Sequence, residues 1–396
     1  MRLTHDGTQV AKQSIKITFS DFAGPTNPKL ITELLERQYE VHLTDLDPDY
    51  VIYSVFSSNF LKYEGAIRIF FTGENVHPDF NLCDYAFSYD WIELGDRHFR
   101  APNFMLYDQW RDILVRGSSN LSELTDKDAF CNFIYSNGDG HPARDAFFQA
   151  LNRVLPVESF GRHLRNSCRE IGEPYAGDWS GPKVKAQSRF KFSIAFENSS
   201  TPGYTTEKLV HALAADTIPI YWGDPLVGRV FNQDRFINLN TLNTEQAIKQ
   251  ILELNENNDA YLEYVNRPFF SADCDLGRLT DDAILSALTS IFSQPKMDAY
   301  RRNFHSWGPK YEGQRRFEVE AGIGVAQLGK LCLSYPEVLA VQDALSSTKD
   351  PVRGILDRVA WMEWNEKVTL FKKLVPYVGK EEAVRLLDHD DDYRKE

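Results

Sequence analysis

Two successive series of short apolar strands run along the first three-quarters of this chain, each interleaved with stretches of helical spacing. In the first series IKITFSDFA (15–23) reads as a strand. ITELLERQYE follows as a helix with Ile31, Leu34 and Leu35 on one face. DYVIYSVF (49–56) and AIRIFF (66–71) read as two more strands, and YAFSYDWIEL adds another. The second series opens with the strand FCNFIYSN (130–137) and the helix ARDAFFQALNRV, whose Phe147, Leu151 and Val154 share a face. RFKFSIAFEN then reads as a strand, TTEKLVHALAADT as a helix, IPIYWG and RFINLN as strands, and TEQAIKQILELNENND as a helix. Strands that alternate with helices must be joined by crossovers, so each series predicts a parallel sheet in an α/β unit. The boundary between the units falls near Leu121–Lys127, and no short repeat suggests a solenoid.

A chain of 396 residues, at about 150 per domain, has room for two or three domains. The predicted division is 1–124, 125–296 and a helix-like extension over 297–396. The formal net charge of −13 argues against nucleic acid as a partner, so any polyanionic ligand must find a local basic pocket. The five cysteines (Cys83, Cys131, Cys168, Cys274, Cys332) form no C-x-x-C and predict reduced, buried thiols rather than a disulfide or zinc framework. The first residues, MRLTHDGTQVAKQ, contain no apolar h-region, and no apolar run reaches the roughly 18–20 residues of a membrane span. The tail carries RRNF and GQRRFE, then a stripe of Trp361, Trp364, Val368 and Phe371, and ends in DHDDDYRKE. That stripe predicts a helix packed on the body. Glu363 and Glu366 beside Lys367 suit an anionic membrane surface poorly, and membrane association of the tail stays open.

The chemistry concentrates between Phe190 and Pro225, in FKFSIAFENSSTPGYTTEKLVHALAADTIPIYWGDP. A strand breaks at Asn198 into a Ser/Thr/Pro/Gly loop, and a helix restarts near Thr206, a good N-cap residue. Loops at the carboxyl ends of strands are where open α/β sheets bind ligands, and a helix N-terminus favours anions. Lys208 lies in the first helical turn, where a cation is disfavoured by about 0.3–1 kcal/mol. Either a phosphate or a neighbouring carboxylate such as Glu207 would offset that cost. The loop lacks the G-x-x-x-x-G-K-[ST] pattern of nucleotide triphosphatases.

FENSSTPGYTTEK followed by TIPIYWGDP closely resembles the signature of the alpha-1,3/1,4-fucosyltransferase family. RIFFTGENVHPDFNLCDYAFSYD and YSNGDGHPARDAFFQAL resemble two further segments of it, so the resemblance runs from about Ile15 to Phe270. It implies a GT-B architecture, two Rossmann-like domains facing across a cleft. The amino domain would lie on the acceptor side and the carboxyl domain would bind GDP-L-fucose. It also implies inverting transfer of L-fucose to an oligosaccharide acceptor, at O3 of the GlcNAc or glucose in a β-galactosyl disaccharide.

Residue by residue, the resemblance makes Glu74 the general base that takes the acceptor hydroxyl proton, a role a single carboxylate can fill in a direct displacement. It makes Arg144 and Lys208 the cations facing the leaving diphosphate, whose charge grows as the bond breaks. Asn198 and Tyr204 become polar residues of the donor site, and Glu207 a carboxylate accepting from ribose or fucose hydroxyls. No metal ion is required on this reading, though manganese or magnesium could stimulate. The enzyme would be of the bacterial soluble type, cytoplasmic or peripheral at the inner membrane.

Lys185, Lys191, Arg162 and Arg165 read as solvated or as extra positive charge near the nucleotide. Tyr221 and Trp222 read as core before they read as stacking platforms, His77 as a loop residue that could assist the acceptor, and His211 as a packing or surface residue. Asp45-Leu46-Asp47 reads as a turn, not a metal site. The competing readings are an α-1,4 linkage, another nucleotide sugar, and a catalytically silent glycan- or nucleotide-binding protein on the same fold. Retention of all six site residues argues against silence.

Overall fold

The structure, a computed structural model, describes residues 12–124, 127–171, 179–303 and 307–320. These fall into two compact units. One holds the residues up to 57, then 65–79 and 83–300; the other holds 58–64, 80–82 and the described residues from 301 to 320.

The larger unit contains two wholly parallel sheets. The first is built from β1 (Gln13–Ser20), β2 (Tyr39–Leu43), β3 (Tyr50–Tyr53), β4 (Ile67–Phe71), β5 (Tyr85–Ser88) and β6 (His98–Arg100), in the order β2-β1-β3-β4-β5-β6. The second is built from β7 (Ala129–Phe133), β8 (Val157–Ser159), β9 (Phe190–Phe196), β10 (Ile218–Trp222) and β11 (Ile237–Asn238), in the order β11-β10-β9-β7-β8. Every residue of β3, β4 and β5 is buried, the pattern of strands covered on both faces. Edge strand β2 buries Tyr39 alone.

The helices are α1 (Thr26–Leu35), α2 (Asp108–Arg116), α3 (Pro142–Asn152), α4 (Ser180–Gln187), α5 (Glu207–Ala214), α6 (Thr244–Glu256), α7 (Asn258–Val265), α8 (Asp281–Phe292) and α9 (Lys296–Ala299). Leu209, Val210, Ala212 and Leu213 of α5 are all fully buried, as expected of a helix enclosed by protein on every side. Helix α8 returns to the first sheet. The Phe292 ring lies 5.5 Å from Tyr39 and 4.3 Å from Tyr50, and the Trp110 indole of α2 donates to the Leu279 carbonyl at 2.9 Å. Burying each such ring contributes about 1.5–3 kcal/mol.

The smaller unit pairs a short turn at Asn59–Lys62 with α10 (Gly308–Glu320). Arg302, 1% exposed, donates to the Glu64 carbonyl at 2.7 Å and lies 3.7 Å from Glu312, which also takes Arg316 at 3.0 Å. The basic residues Arg302 and Arg316 of the tail are thus used in ion pairs of their own unit. The tail stripe over 361–371 and the acidic terminus lie outside the described residues, as does Cys332.

Several expectations shift by a few residues. The helix over 31–40 runs instead from Thr26 to Leu35, because Tyr39–Leu43 pairs with β1 as an edge strand. Val154 lies beyond α3 and is half exposed. The helix over 244–259 breaks at Asn257, whose side chain caps the next helix through the Ala260 N–H. Cys83 and Cys131 are buried thiols, but Cys168 is exposed.

Candidate active site

The carboxyl ends of both sheets carry the loops that matter, and the loops meet. From the first sheet come residues 72–77, after β4, and 89–95, after β5. From the second come residues 197–206, between β9 and α5, and 223–226, after β10. Asn75 donates to Ser199 Oγ at 2.6 Å and Thr201 Oγ1 at 2.8 Å, and accepts from the Tyr89 hydroxyl at 2.7 Å. The Tyr89 and Tyr204 rings meet edge to face at 5.0 Å. Gly203 has φ +90°, and a Cβ there would lie 2.6 Å from the Tyr89 carbonyl oxygen. Only glycine permits both that backbone and that approach.

Glu197 organises the donor-side loop. It directly follows β9, is fully buried, and accepts from Thr206 N at 2.7 Å and Thr206 Oγ1 at 2.6 Å, which fixes the start of α5. Its neighbour Gly223, at φ +151°, leaves room for it: a Cβ on Gly223 would lie 2.4 Å from Glu197 Cγ. Asp224 performs a similar task, accepting from Gly203 N and Leu226 N at 2.7 Å each and from Thr205 Oγ1 at 2.9 Å. Burial pushes both carboxyls up, against the pull of Lys208 on Glu197 and of backbone N–H donors on Asp224.

Lys208 lies 3.4 Å from Glu197 Oε2 and 3.5 Å from Glu207 Oε1, and donates to Thr206 Oγ1 at 3.0 Å. Of the two explanations for a cation in a first helical turn, the structure provides the carboxylates. Burial works against the Lys208 charge, but Glu207 and Glu197 outweigh it and hold its pKa well above the ordinary value. Burial likewise opposes ionisation of Glu207, and Lys208, Lys183 and His211 outweigh it, bringing Glu207 down to about 2. Lys183, buried beside the Trp179 ring, is pushed down to about 8 by burial, with Glu207 opposing. His211 is not a surface residue. It is fully buried between the Tyr107 ring at 5.3 Å and the Trp179 ring at 5.6 Å. Neither of its nitrogens has a hydrogen-bond partner among the described residues, and burial pushes its pKa well down.

Arg144 is fully buried in the first turn of α3 and stacks 4.6 Å from the Tyr135 ring centroid. It donates to the Asn137 carbonyl at 3.0 Å, to Asp145 at 3.3 Å and to Asn198 Oδ1 at 3.4 Å. The Asn198 carbonyl in turn accepts from His141 N, so α3 and the donor-side loop are tied twice. Glu74 sits on the loop after β4 with its side chain exposed, and its charge is felt by the Tyr204 hydroxyl. Asn198 and Tyr204 thus lie on the donor-side loop, Glu207 and Lys208 in the first turn of α5 that follows it, Arg144 in the first turn of α3 beside it, and Glu74 on the loop after β4.

His77, on the same loop as Glu74, bonds through Nδ1 to the buried Asp90 at 2.6 Å. Lys191 is held at the other end of the sheet by Asn255 and Asn258, and Arg165 by backbone carbonyls of its own loop. Lys185 and Arg162 are exposed. Tyr221 is core, and Trp222 lies against His141 at 4.5 Å. Asp45 accepts from Thr18 at 2.6 Å and Asp47 takes φ +47°, the turn that the sequence suggested. Sequence reasoning missed Glu197, Lys183, Asp224 and Asn75. A carboxylate directly after the mostly apolar strand FKFSIAF was the available signal for Glu197. For Asn75 the signal was its place in the TGEN stretch, 72–75, of the segment that resembles the family.

Two family models match the chain. Residues 17–107 match the Alpha-(1,3)-fucosyltransferase FucT N-terminal domain, and residues 124–270 match the Glycosyltransferase family 10 (fucosyltransferase) C-term. Among curated proteins, the alpha-(1,3)-fucosyltransferase FucT of Helicobacter pylori is 34% identical over 239 residues, 51% of this chain and 47% of that one. The chain spans about half the length, or less, of the curated relatives it matches. Among solved structures, an alpha1,3-fucosyltransferase is 26% identical with a TM-score of 0.61 over 72% of this chain and 92% of that one. An alpha1,3-fucosyltransferase solved with GDP-fucose is 24% identical with a TM-score of 0.59 over 76% and 96%. The fold is therefore GT-B, and the chain belongs to the glycosyltransferase family 10 fucosyltransferases.

Proposed function

We propose that this protein is an inverting alpha-1,3-fucosyltransferase. It moves L-fucose from GDP-L-fucose to O3 of the GlcNAc or glucose in a lactosamine- or lactose-type oligosaccharide. The first-sheet half, 1–124, is the acceptor side, the second-sheet half, 125–296, binds the donor, and 297–396 is an extension. The observation that carries this is the convergence of Arg144 from α3, and Glu207 and Lys208 from α5, around the donor-side loop that holds Asn198 and Tyr204, with Asn75 tying that loop to the one that bears Glu74. The first turns of α3 and α5 can thus present one cation each to a diphosphate while the facing loop presents a carboxylate to an incoming hydroxyl.

In the proposed reaction Glu74 removes the acceptor hydroxyl proton as oxygen attacks the anomeric carbon from the face opposite the leaving GDP. An exposed carboxylate on the acceptor side suits this, since it must reach a bound sugar and then return its proton to solvent. Lys208 and Arg144 take the charge that gathers on the diphosphate. Because Lys208 is already neutralised by two carboxylates, Glu207 must turn toward hydroxyl donors when the diphosphate arrives, leaving the lysine to the phosphate. Incubating the protein with GDP-fucose and a panel of lactose and type 1 and type 2 disaccharides, with NMR of the product, tests the reading. An α-1,3 product supports it. An α-1,4 product corrects the linkage, and transfer from another nucleotide sugar only refutes it.

A further inference from the structure

Beside the meeting point of the two sheets lies an open groove of about 1010 Å³, at the upper end of the ~300–1,000 Å³ usual for ligand sites. The loop after β5 forms one wall, the loop after β10 a second, and residues 271–279 a third. It begins at the donor-side loop, where Gly203 abuts Trp91: a Cβ on Gly203 would lie 3.1 Å from the indole. Trp91 carries two guanidiniums, Arg100 at 4.0 Å from its ring centroid and Arg229 at 4.9 Å. Arg100 Nε and Nη1 are buried with no hydrogen-bond partner among the described residues. Burial brings the Arg100 pKa down to about 10, against the pull of Asp224 and Asp90. Those two carboxylates are committed elsewhere, Asp224 to the donor-side loop and Asp90 to His77 and Ser88.

The groove therefore presents unmet donors at its inner end. At its outer end it presents Glu93, Asp273 and Asp275, all exposed. Among the described residues its lining counts three arginines and four carboxylates. With Asp90 committed to His77 and Ser88, three arginines face three carboxylates, so an anionic ligand would meet Glu93, Asp273 and Asp275 as well as the cations. An apolar one would leave buried N–H groups unmet, at about 1–3 kcal/mol each. A hydroxyl both donates and accepts, so a polyol satisfies the arginines and the carboxylates together.

We propose that this groove holds the outer sugars of the acceptor, a neutral oligosaccharide longer than a disaccharide, with Arg100 and Arg229 donating to sugar oxygens and Glu93, Asp273 and Asp275 accepting from sugar hydroxyls. The proposal rests on the fucosyltransferase reading only for which sugar reacts. Its test measures binding, not transfer. The full chain with GDP is titrated with a neutral lactosamine disaccharide, the corresponding neutral tetrasaccharide, and the same tetrasaccharide with a carboxylate on its outer residue.

The neutral tetrasaccharide should bind about tenfold more tightly than the disaccharide and more tightly than its carboxylated form. Arg100→Gln should bring it to the disaccharide's Kd. Because Arg100 is largely enclosed, the double variant Asp273→Asn, Asp275→Asn on an exposed loop provides a second reading, with the length advantage falling several-fold. Equal binding of di- and tetrasaccharide to the parent, tighter binding of the carboxylated chain, or a full length advantage in the folded double variant would each overturn the proposal. Length-dependent binding without fucosyl transfer would refute the enzymatic reading and leave the groove standing.

Discussion

Removing Lys208 should expose the electrostatics of the donor-side loop in two separable ways. In the parent, Lys208 is held above its unfolded pKa of about 10.4, so its stabilisation is complete below that pH and is lost only as pH rises through the folded value. Glu207, held at about 2, adds stability above its unfolded value of about 4.3, and this fades as pH falls toward 2. Glu197 behaves in the opposite sense: burial raises its pKa, so its ionisation costs stability as pH climbs. Lys208→Ala leaves both carboxylates enclosed with their nearest cation gone. Breaking a buried pair from one side costs about 3–5 kcal/mol. The cost should be larger at pH 8 than at pH 5, because burial favours the neutral form of Glu197 and, without the pull of Lys208, the carboxyl takes up a proton more readily as pH falls. Urea denaturation of parent and variant at the two pH values measures this. A destabilisation below about 0.5 kcal/mol at both, or a larger loss at pH 5, would refute the reasoning. GDP affinity gives the second readout. Loss of a charge-assisted phosphate bond worth roughly 1.5–3 kcal/mol should weaken GDP about ten- to a hundredfold, measured by titration calorimetry at a pH where the variant is folded.

Glu74→Gln should keep the parent's melting temperature and GDP affinity, because the side chain is exposed, while turnover falls about 10²–10⁴-fold; near-parental turnover in a coupled GDP-release assay would reject Glu74 as the base. Gly223→Ala puts a Cβ against Glu197 Cγ at a backbone angle costing about 1–3 kcal/mol, so both Tm and GDP affinity should drop together. Activity should persist in EDTA if Arg144, Lys208 and the α5 N-terminus carry the diphosphate charge; complete loss restored by manganese would give that task to a metal.

The alternation of apolar strands with helices is a local property, and it was enough to indicate two parallel α/β units. β3, β4 and β5 are buried along their whole length, which makes them visible as apolar runs. β2 was invisible for the same reason reversed: as an edge strand it buries one residue, and its sequence runs straight on from a helix. The loop from Asn198 to Lys208 was also legible, because a strand that breaks into Ser, Thr, Pro and Gly before a helix start has a compositional signature.

The partners of that loop were not legible. Glu197 is a carboxylate with two hydrogen bonds to Thr206, a cation beside it and a glycine making room for it; the loop must fold back on itself to bring Thr206 and Lys208 there, and Gly223 comes from the next strand's end. Asn75 pins the two loops together across 124 residues of sequence. The Arg100–Trp91–Arg229 stack joins β6, the loop after β5 and the loop after β10. Short-range patterning determines which segments are strands and helices, because burial of one face acts within a few residues. The charge state of Lys208 depends on how the loop after β9 folds back to set Glu197 beside it, and the enclosure of His211 depends on which segments the fold brings together, since Tyr107 and Trp179 come from opposite sides of the boundary between the two series of strands.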